Sequence, residues 1–168
     1  MSTTIEGTVF LFGDHIDTDQ IYPGRYLELT DPTQIASHVF EGADAGFLDR
    51  YKPGGIIVAG RNFGCGSSRE HAAIALQSAG IPLVIAESFA RIFYRNCINL
   101  GLPLLICAGI TAAMKEGDTI LVDLKEGIVL HKTKGLTLKG QGLSEDVWAI
   151  LEAGGIKPLL RRKIQSRE

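Results

Sequence analysis

With 168 residues, 45% of them apolar, and a formal charge of -2, the chain has the length and balance of one globular domain with a sizeable core, spanning residues 1–168. Seventeen basic against nineteen acidic side chains give no general basic field, which excludes nucleic acid as the expected partner; Arg161-Arg162-Lys163 reads as a solvated end. No stretch reaches the roughly 18 consecutive apolar residues of a membrane helix, and the first residues lack the basic start and apolar core of a signal peptide, so no membrane role and a cytoplasmic location are expected.

Ile5 to Phe12 mixes β-branched and aromatic residues and stops at Gly13, a first strand. Asp14, Asp17 and Asp19 follow within six residues, ahead of Pro23-Gly24, in what reads as a loop. Their spacing does not meet that of a calcium loop, so their expected work is structural, through Asx turns and hydrogen bonds. Asp31-Pro32 reads as cap and first residue of a helix running to about Glu41. A helical turn near Ala45 to Tyr51 leads to Pro53-Gly54 and a second, fully apolar strand, Gly55 to Ala59.

Gly60-Arg61-Asn62-Phe63-Gly64-Cys65-Gly66-Ser67-Ser68-Arg69-Glu70-His71-Ala72-Ala73 then reads as a glycine-rich turn opening a helix, with Ser67 or Ser68 as cap. Gly64 and Gly66 can take positive φ and bring backbone N–H groups near a ligand. Arg69 in the first turn of such a helix would oppose its dipole, so a cation there needs another reason. The spacing fits neither G-x-x-x-x-G-K-[ST] nor G-x-G-x-x-G. A small anion such as a carboxylate, held at a helix N-terminus by Arg and hydroxyl partners, fits the residue types.

The helix is expected to end at Gly80, before a buried strand at Leu83 to Ala86. Ser88 to Gly101 reads as a second helix, capped by Ser88, with Phe89, Ile92, Phe93 and Asn96 at core spacing. Pro103 to Cys107 is a further buried strand. Asp118 to Leu124, Gly127 to His131 and Leu136 to Leu138 read as short strands joined by turns, and Ser144 to Leu151 as a last helix with a capping-box-like start. Strands alternating with helices, then mainly strands, indicate an α/β domain with a mixed sheet. Cys65, Cys97 and Cys107 contain no C-x-x-C pair, which argues against a disulfide framework and against a metal or iron–sulfur site built by this chain alone.

Asn62 to Ala72 resembles the signature of the swivelling domain of the aconitase superfamily, in particular of the separate small subunits of isopropylmalate isomerases and homoaconitases. Gly13 to Pro23 resembles the N-terminal loop of that family, and Glu87 to Pro103 its central helix. The resemblance implies a swivelling β/β/α three-layer fold and a reversible dehydration and rehydration of a dicarboxylic hydroxy acid. It implies a partner, a large subunit carrying the [4Fe-4S] cluster, with no cofactor bound by this chain, and a motif face covered only on assembly, which leaves the isolated chain able to self-associate.

Carried over position by position, the resemblance implies that Ser67 is the catalytic base and that Ser68 and Arg69 hold a substrate carboxylate. Asp17, Thr18, Gly64, Gly66 and His71 support them. An ordinary serine is far too weak a base, so turn N–H groups, the helix N-terminus and Arg69 are expected to stabilise its deprotonated form. His15 stands where the family has Asn and reads as a hydrogen-bonding residue. The loop of Arg25, Leu27, Glu28 and Leu29 is implied to meet the variable group of the substrate: Leu27 and Leu29 around acidic Glu28 suit a branched alkyl group, as in isopropylmalate. Arg25 could instead receive a carboxylate arm, and the two leucines could simply anchor the loop on the core. Homoaconitate, citrate, citraconate and dimethylmalate are the alternative substrates within the family, and a non-catalytic scaffold module the alternative outside it.

Overall fold

A computed structural model describes residues 2–167. Seven strands form one mixed sheet in the order β4-β3-β2-β1-β5-β6-β7: β1 (Thr4–Leu11), β2 (Ile56–Ala59), β3 (Val84–Ala86), β4 (Leu104–Ile106), β5 (Thr119–Asp123), β6 (Ile128–His131) and β7 (Leu136–Lys139). The first four run parallel and the last three antiparallel, and β1 belongs to both sets. Its Val9–Leu11 pair with Ile56–Val58 of β2, and its Thr4–Thr8 pair with Asp123–Thr119 of β5.

Among the described residues six α-helices lie between strands, α1 (Thr18–Ile21), α2 (Pro32–Ala36), α3 (Phe47–Arg50), α4 (His71–Ser78), α5 (Arg91–Leu100) and α6 (Ile110–Ala113), and two follow β7, α7 (Glu145–Ala153) and α8 (Ile156–Gln165). Alternation along the parallel strands sorts side chains into two cores. In β2, Ile57 and Ala59 face the helices with Phe10, Val84 and Leu104, against Phe40, Phe47, Leu76 and Phe93. Ile56 and Val58 face the opposite way with Val9, Ile85 and Leu105, against Ile120, Val122 and Val129 of the antiparallel strands. The sheet therefore curls over itself, giving helix, parallel and antiparallel layers, as the resemblance implied.

Several expected boundaries move. The loop expected at 14–19 turns helical at Thr18, because Asp17 caps α1 and Gln20 closes the reciprocal box. The helix begun by Asp31 and Pro32 ends at Ala36 and not near Glu41; the chain swings so that Phe40, at φ 58°, donates its N–H to the Ile21 carbonyl and buries its ring. The helix placed at Ser68 starts at His71, with Glu70 at the cap position and neither serine bonded to its first turn. Ser88 does not cap α5; its Oγ accepts from the Asn62 N–H while the Ala90 N–H goes to the Phe63 carbonyl, which delays the helix to Arg91. Phe93 is core as expected, but Ile92 is half-exposed. Ser144 caps α7 through the Val147 N–H, a single bond because Val147 has no side-chain acceptor to return it. The helices α6 and α8 go beyond the sequence reading, and α8 carries Arg161, Arg162 and Lys163 in its exposed last turns. No helix among the described residues is long and apolar enough to cross a membrane.

Candidate active site

The parallel strands β1 and β2 end side by side, so the loops that follow them, Phe12–Asp17 and Gly60–Glu70, run together. Parallel strands cannot be joined by tight hairpins, and their terminal loops must find other partners for their backbone groups. Here they find each other. Gly60 donates its N–H to the Gly13 carbonyl (3.0 Å), His15 to Arg61 (2.8 Å), Gly64 to Ile16 (2.7 Å) and Thr18 to Cys65 (2.8 Å).

Of the three aspartates, Asp14 adds a bond across the two loops, while Asp17 and Asp19 accept from N–H groups of their own segment. Asp14 Oδ1 takes the Arg61 N–H (2.7 Å), Asp17 Oδ1 the Gln20 N–H (2.7 Å) and Asp19 Oδ1 the Gly24 N–H (2.7 Å). Two glycines are required by the packing. A Cβ on Gly60 would collide with the Asp14 carboxylate, and one on Gly64, which sits at φ 86°, would collide with the Phe93 ring. His15 adopts φ 57°, and its Nδ1 lies 3.5 Å from the Asn62 amide.

This frame places Ser67. Its N–H donates to Thr18 Oγ1 (3.0 Å), so Thr18 fixes the backbone from the first loop. On the other side, Asn96 of α5 donates to the Ser68 carbonyl (3.2 Å). Ser67 Oγ accepts two bonds from Arg69, one from its N–H (3.2 Å) and one from its Nε–H (2.9 Å). Arg69 thus precedes the helix and is turned back on the serine, a contact that gives the cation its reason at the N-terminal end of α4. The expected donors shift accordingly: the N–H groups of Gly64 and Ser67 are spent on holding the loop, and it is Arg69 that supplies both donors to the hydroxyl.

An oxygen that accepts from a guanidinium and a backbone N–H is stabilised in its charged form. Arg69 keeps the N–H groups of both Nη atoms, enough for a bidentate carboxylate contact. A narrow cleft of about 10 Å³, room for about one water, opens at this point, lined by Ser67, Arg69, Thr18, Asp19, Tyr22, Leu27, His71 and Ala72. Gly64, Gly66 and Ser68 line the adjoining groove toward Arg91 of α5.

The structure brings Ser67, Arg69, Thr18, His71 and Leu27 together at one cleft. Asp17 lies beneath it as the cap of α1. The other loop residues are placed differently. Leu29 packs on the helix-side core, as Leu27 also does, and Glu28 is exposed. Arg25 is bound to Glu41 at 2.6 Å. The sequence marks Asp19 as a turn-forming residue and not as a cleft residue, and it does not mark Tyr22 or Glu41. Asp19 lies in the short helix α1 and Tyr22 at its C-terminal cap; Glu41 meets Arg25 across 16 positions, a separation without a local signal.

The cysteines do not assemble into a ligand set. Cys97 is on the helix-facing core and Cys107 on the opposite one, with burial pushing the Cys107 thiol up to about 11, while Cys65 is half-buried in the loop. Among the described residues no three His, Cys, Asp or Glu side chains could hold a metal ion, so the residues present do not fit an iron–sulfur cluster.

The sequence pattern described as the aconitase C-terminal domain matches residues 5–108. The chain is 54% identical over 164 residues to the isopropylmalate/citramalate isomerase small subunit of Methanocaldococcus jannaschii, covering 98% of each chain. It is 53% identical over 163 residues to a 3-isopropylmalate dehydratase small subunit of Methanopyrus kandleri, covering 97% of this chain and 96% of that one. A crystal structure of a 3-isopropylmalate dehydratase from Methanocaldococcus jannaschii superimposes with a TM-score of 0.91 at 46% identity, over 98% of both chains.

Proposed function

The chain belongs to the aconitase C-terminal domain family, and from that premise we propose that it is the small subunit of a 3-isopropylmalate dehydratase. Such a hydro-lyase interconverts 2-isopropylmalate and 3-isopropylmalate in leucine biosynthesis, by loss of water to an alkene and its return to the neighbouring carbon. The observation that carries the reading is the Ser67 hydroxyl, which accepts from both the backbone and the guanidinium of Arg69 in a cleft that Leu27 lines.

In this reading Ser67 Oγ, held deprotonated by its two donors, takes the proton from the substrate carbon as the alkene forms. Going forward, it returns the proton at the neighbouring carbon. The guanidinium serves twice: its Nε–H stays on Oγ while its Nη groups clamp a carboxylate of the malate portion, with Ser68 beside them. Thr18 holds the Ser67 N–H and Asn96 the Ser68 carbonyl, so the serine is flanked from two elements, which keeps the oxygen and the carbon in register. His71, stacked parallel to Tyr22 at 6.4 Å, closes the wall of the cleft.

The partner in this proposal is a large subunit that carries the [4Fe-4S] cluster and supplies the Lewis acid for the departing hydroxyl. The groove between Ser67 and Arg91 then faces that subunit, in the cytoplasm. Leu27 is the residue of the Arg25–Leu29 loop that reaches the cleft, which supports an alkyl substituent as the variable group.

The test is anaerobic co-production with candidate large subunits and an ultraviolet assay for the unsaturated intermediate. The panel is 2-isopropylmalate, homocitrate, citrate, citramalate and dimethylmalate. Preference for isopropylmalate is expected; preference for a tricarboxylate would overturn the substrate assignment while leaving the family intact.

A further inference from the structure

Arg25 stands two residues before Leu27, the residue of this loop that lines the cleft, and its guanidinium is already committed. Arg25 Nη2 donates to Glu41 Oε1 at 2.6 Å. The same oxygen accepts from the Tyr26 hydroxyl at 2.7 Å, and the other carboxylate oxygen lies 2.6 Å from His38 Nδ1. Tyr26 in turn stacks on His38, ring centroids 3.6 Å apart, with the Arg25 guanidinium 4.7 Å from its own centroid. Glu41 therefore gathers three donors from two segments, and neither it nor Arg25 lines the cleft.

We propose that Glu41 is a specificity-determining residue: by holding Arg25 it withholds a cation from the variable-group side of the cleft, and so selects an apolar substituent over one bearing a further carboxylate. This rests on the site reading given above. The chemistry is a matter of an unmade contact. A carboxylate arm entering beside Leu27 would lose hydration against that side chain, with the loop cation Arg25 neutralised by a carboxylate of the protein itself. An alkyl arm meets no such penalty. Arg25 is then a latent carboxylate receptor that the loop keeps occupied, and its ties through Tyr26 also fix the backbone that presents Leu27.

The experiment uses the assembled two-subunit enzyme with 2-isopropylmalate and homocitrate as the alkyl and carboxylate-armed probes, read as the ratio of their kcat/KM values. Glu41→Gln and Glu41→Ala are expected to shift that ratio toward homocitrate by about tenfold or more, the size of one modest charge-assisted contact. Adding Arg25→Ala to either variant is expected to abolish the shift. An unchanged ratio, or a shift that survives Arg25→Ala, overturns the proposal.

Should the Glu41 variants fail to assemble, the single Arg25→Ala substitution, on a largely exposed side chain, can still overturn it. A committed guanidinium predicts the wild-type ratio, whereas a tenfold fall in relative homocitrate turnover shows that Arg25 already serves substrate. If the wild type does not turn over 2-isopropylmalate at all, the failure lies with the proposed function and not with Glu41.

Discussion

The two halves of β1 belong to different ladders, and the regions they serve differ in the same way. Thr4–Thr8 leads into β5, β6 and β7, where hairpin connections return the chain at once and backbone groups pair strand to strand. Val9–Leu11 leads into β2, β3 and β4, where each connection must cross over, and strand ends are left as loops that need partners. The antiparallel region accordingly carries apolar cover for the sheet, with Ile120, Val122 and Val129 fully buried. The parallel region gathers the cleft, because its loops tie one another down and in doing so fix Ser67. The chemistry proposed for this chain is thus assigned to the region whose backbone is held by loop-to-loop contacts and not to the continuous ladder.

That contrast can be broken from either side. On the loop side, Arg69→Met removes the Nε–H from Ser67 Oγ and the carboxylate clamp together. It is expected to lower kcat/KM by about 10²–10³-fold, with Arg69→Lys recovering part of KM but little of kcat. Steady-state kinetics of the assembled enzyme checks this; a normal kcat in Arg69→Met would separate the guanidinium from the serine.

On the ladder side, Ile120→Ala should cost about 2–5 kcal/mol of stability through the cavity it opens, while the kcat of the folded enzyme holds. Denaturant unfolding beside activity below the transition tests that, and an equal loss of kcat would mean that the two regions are coupled.

Thr18→Ala is a smaller change within the loop side. It leaves the Ser67 N–H without its acceptor, worth about 1–3 kcal/mol, and should lower kcat about tenfold, with Thr18→Ser restoring it.

Smallest is the acid response of the Arg25–Tyr26–Glu41 tie. Hydrogen bonds from Tyr26, then His38 and Arg25, hold the Glu41 carboxyl at about 2, below its ordinary 4.5. A carboxyl depressed in the folded state contributes stability present above its unfolded value and lost as pH falls toward the folded one. The melting temperature of the wild type should therefore fall a few degrees more between pH 6 and pH 3 than that of Glu41→Gln; equal losses would show that the tie contributes nothing.

Much of this was legible because local signals agree with the fold. Fully apolar Ile56–Ala59 could only be a strand buried on both faces, and Gly101, at φ 86°, ends α5 where the sequence placed the end. Signals failed where a longer-range contact outbid a local one. Ser88 looks like a cap, but its hydroxyl is taken by Asn62, and Asp31-Pro32 promises a long helix that Phe40 breaks to reach the core. At the site, Ser67 and Arg69 were visible as residue types, whereas the bond between them was not. It depends on α4 starting at His71 and leaving Arg69 free to fold back. The occupation of Arg25 by Glu41 lies in tertiary placement alone.

The most direct measurement is turnover by the Ser67→Ala variant in the assembled enzyme, alongside its co-elution with the large subunit. If Ser67 is the base that Arg69 holds ready, turnover falls by about 10³-fold or more while assembly and melting temperature stay as in the wild type. Near-normal turnover by an assembled Ser67→Ala enzyme would contradict the assignment and with it the central role given to the loop.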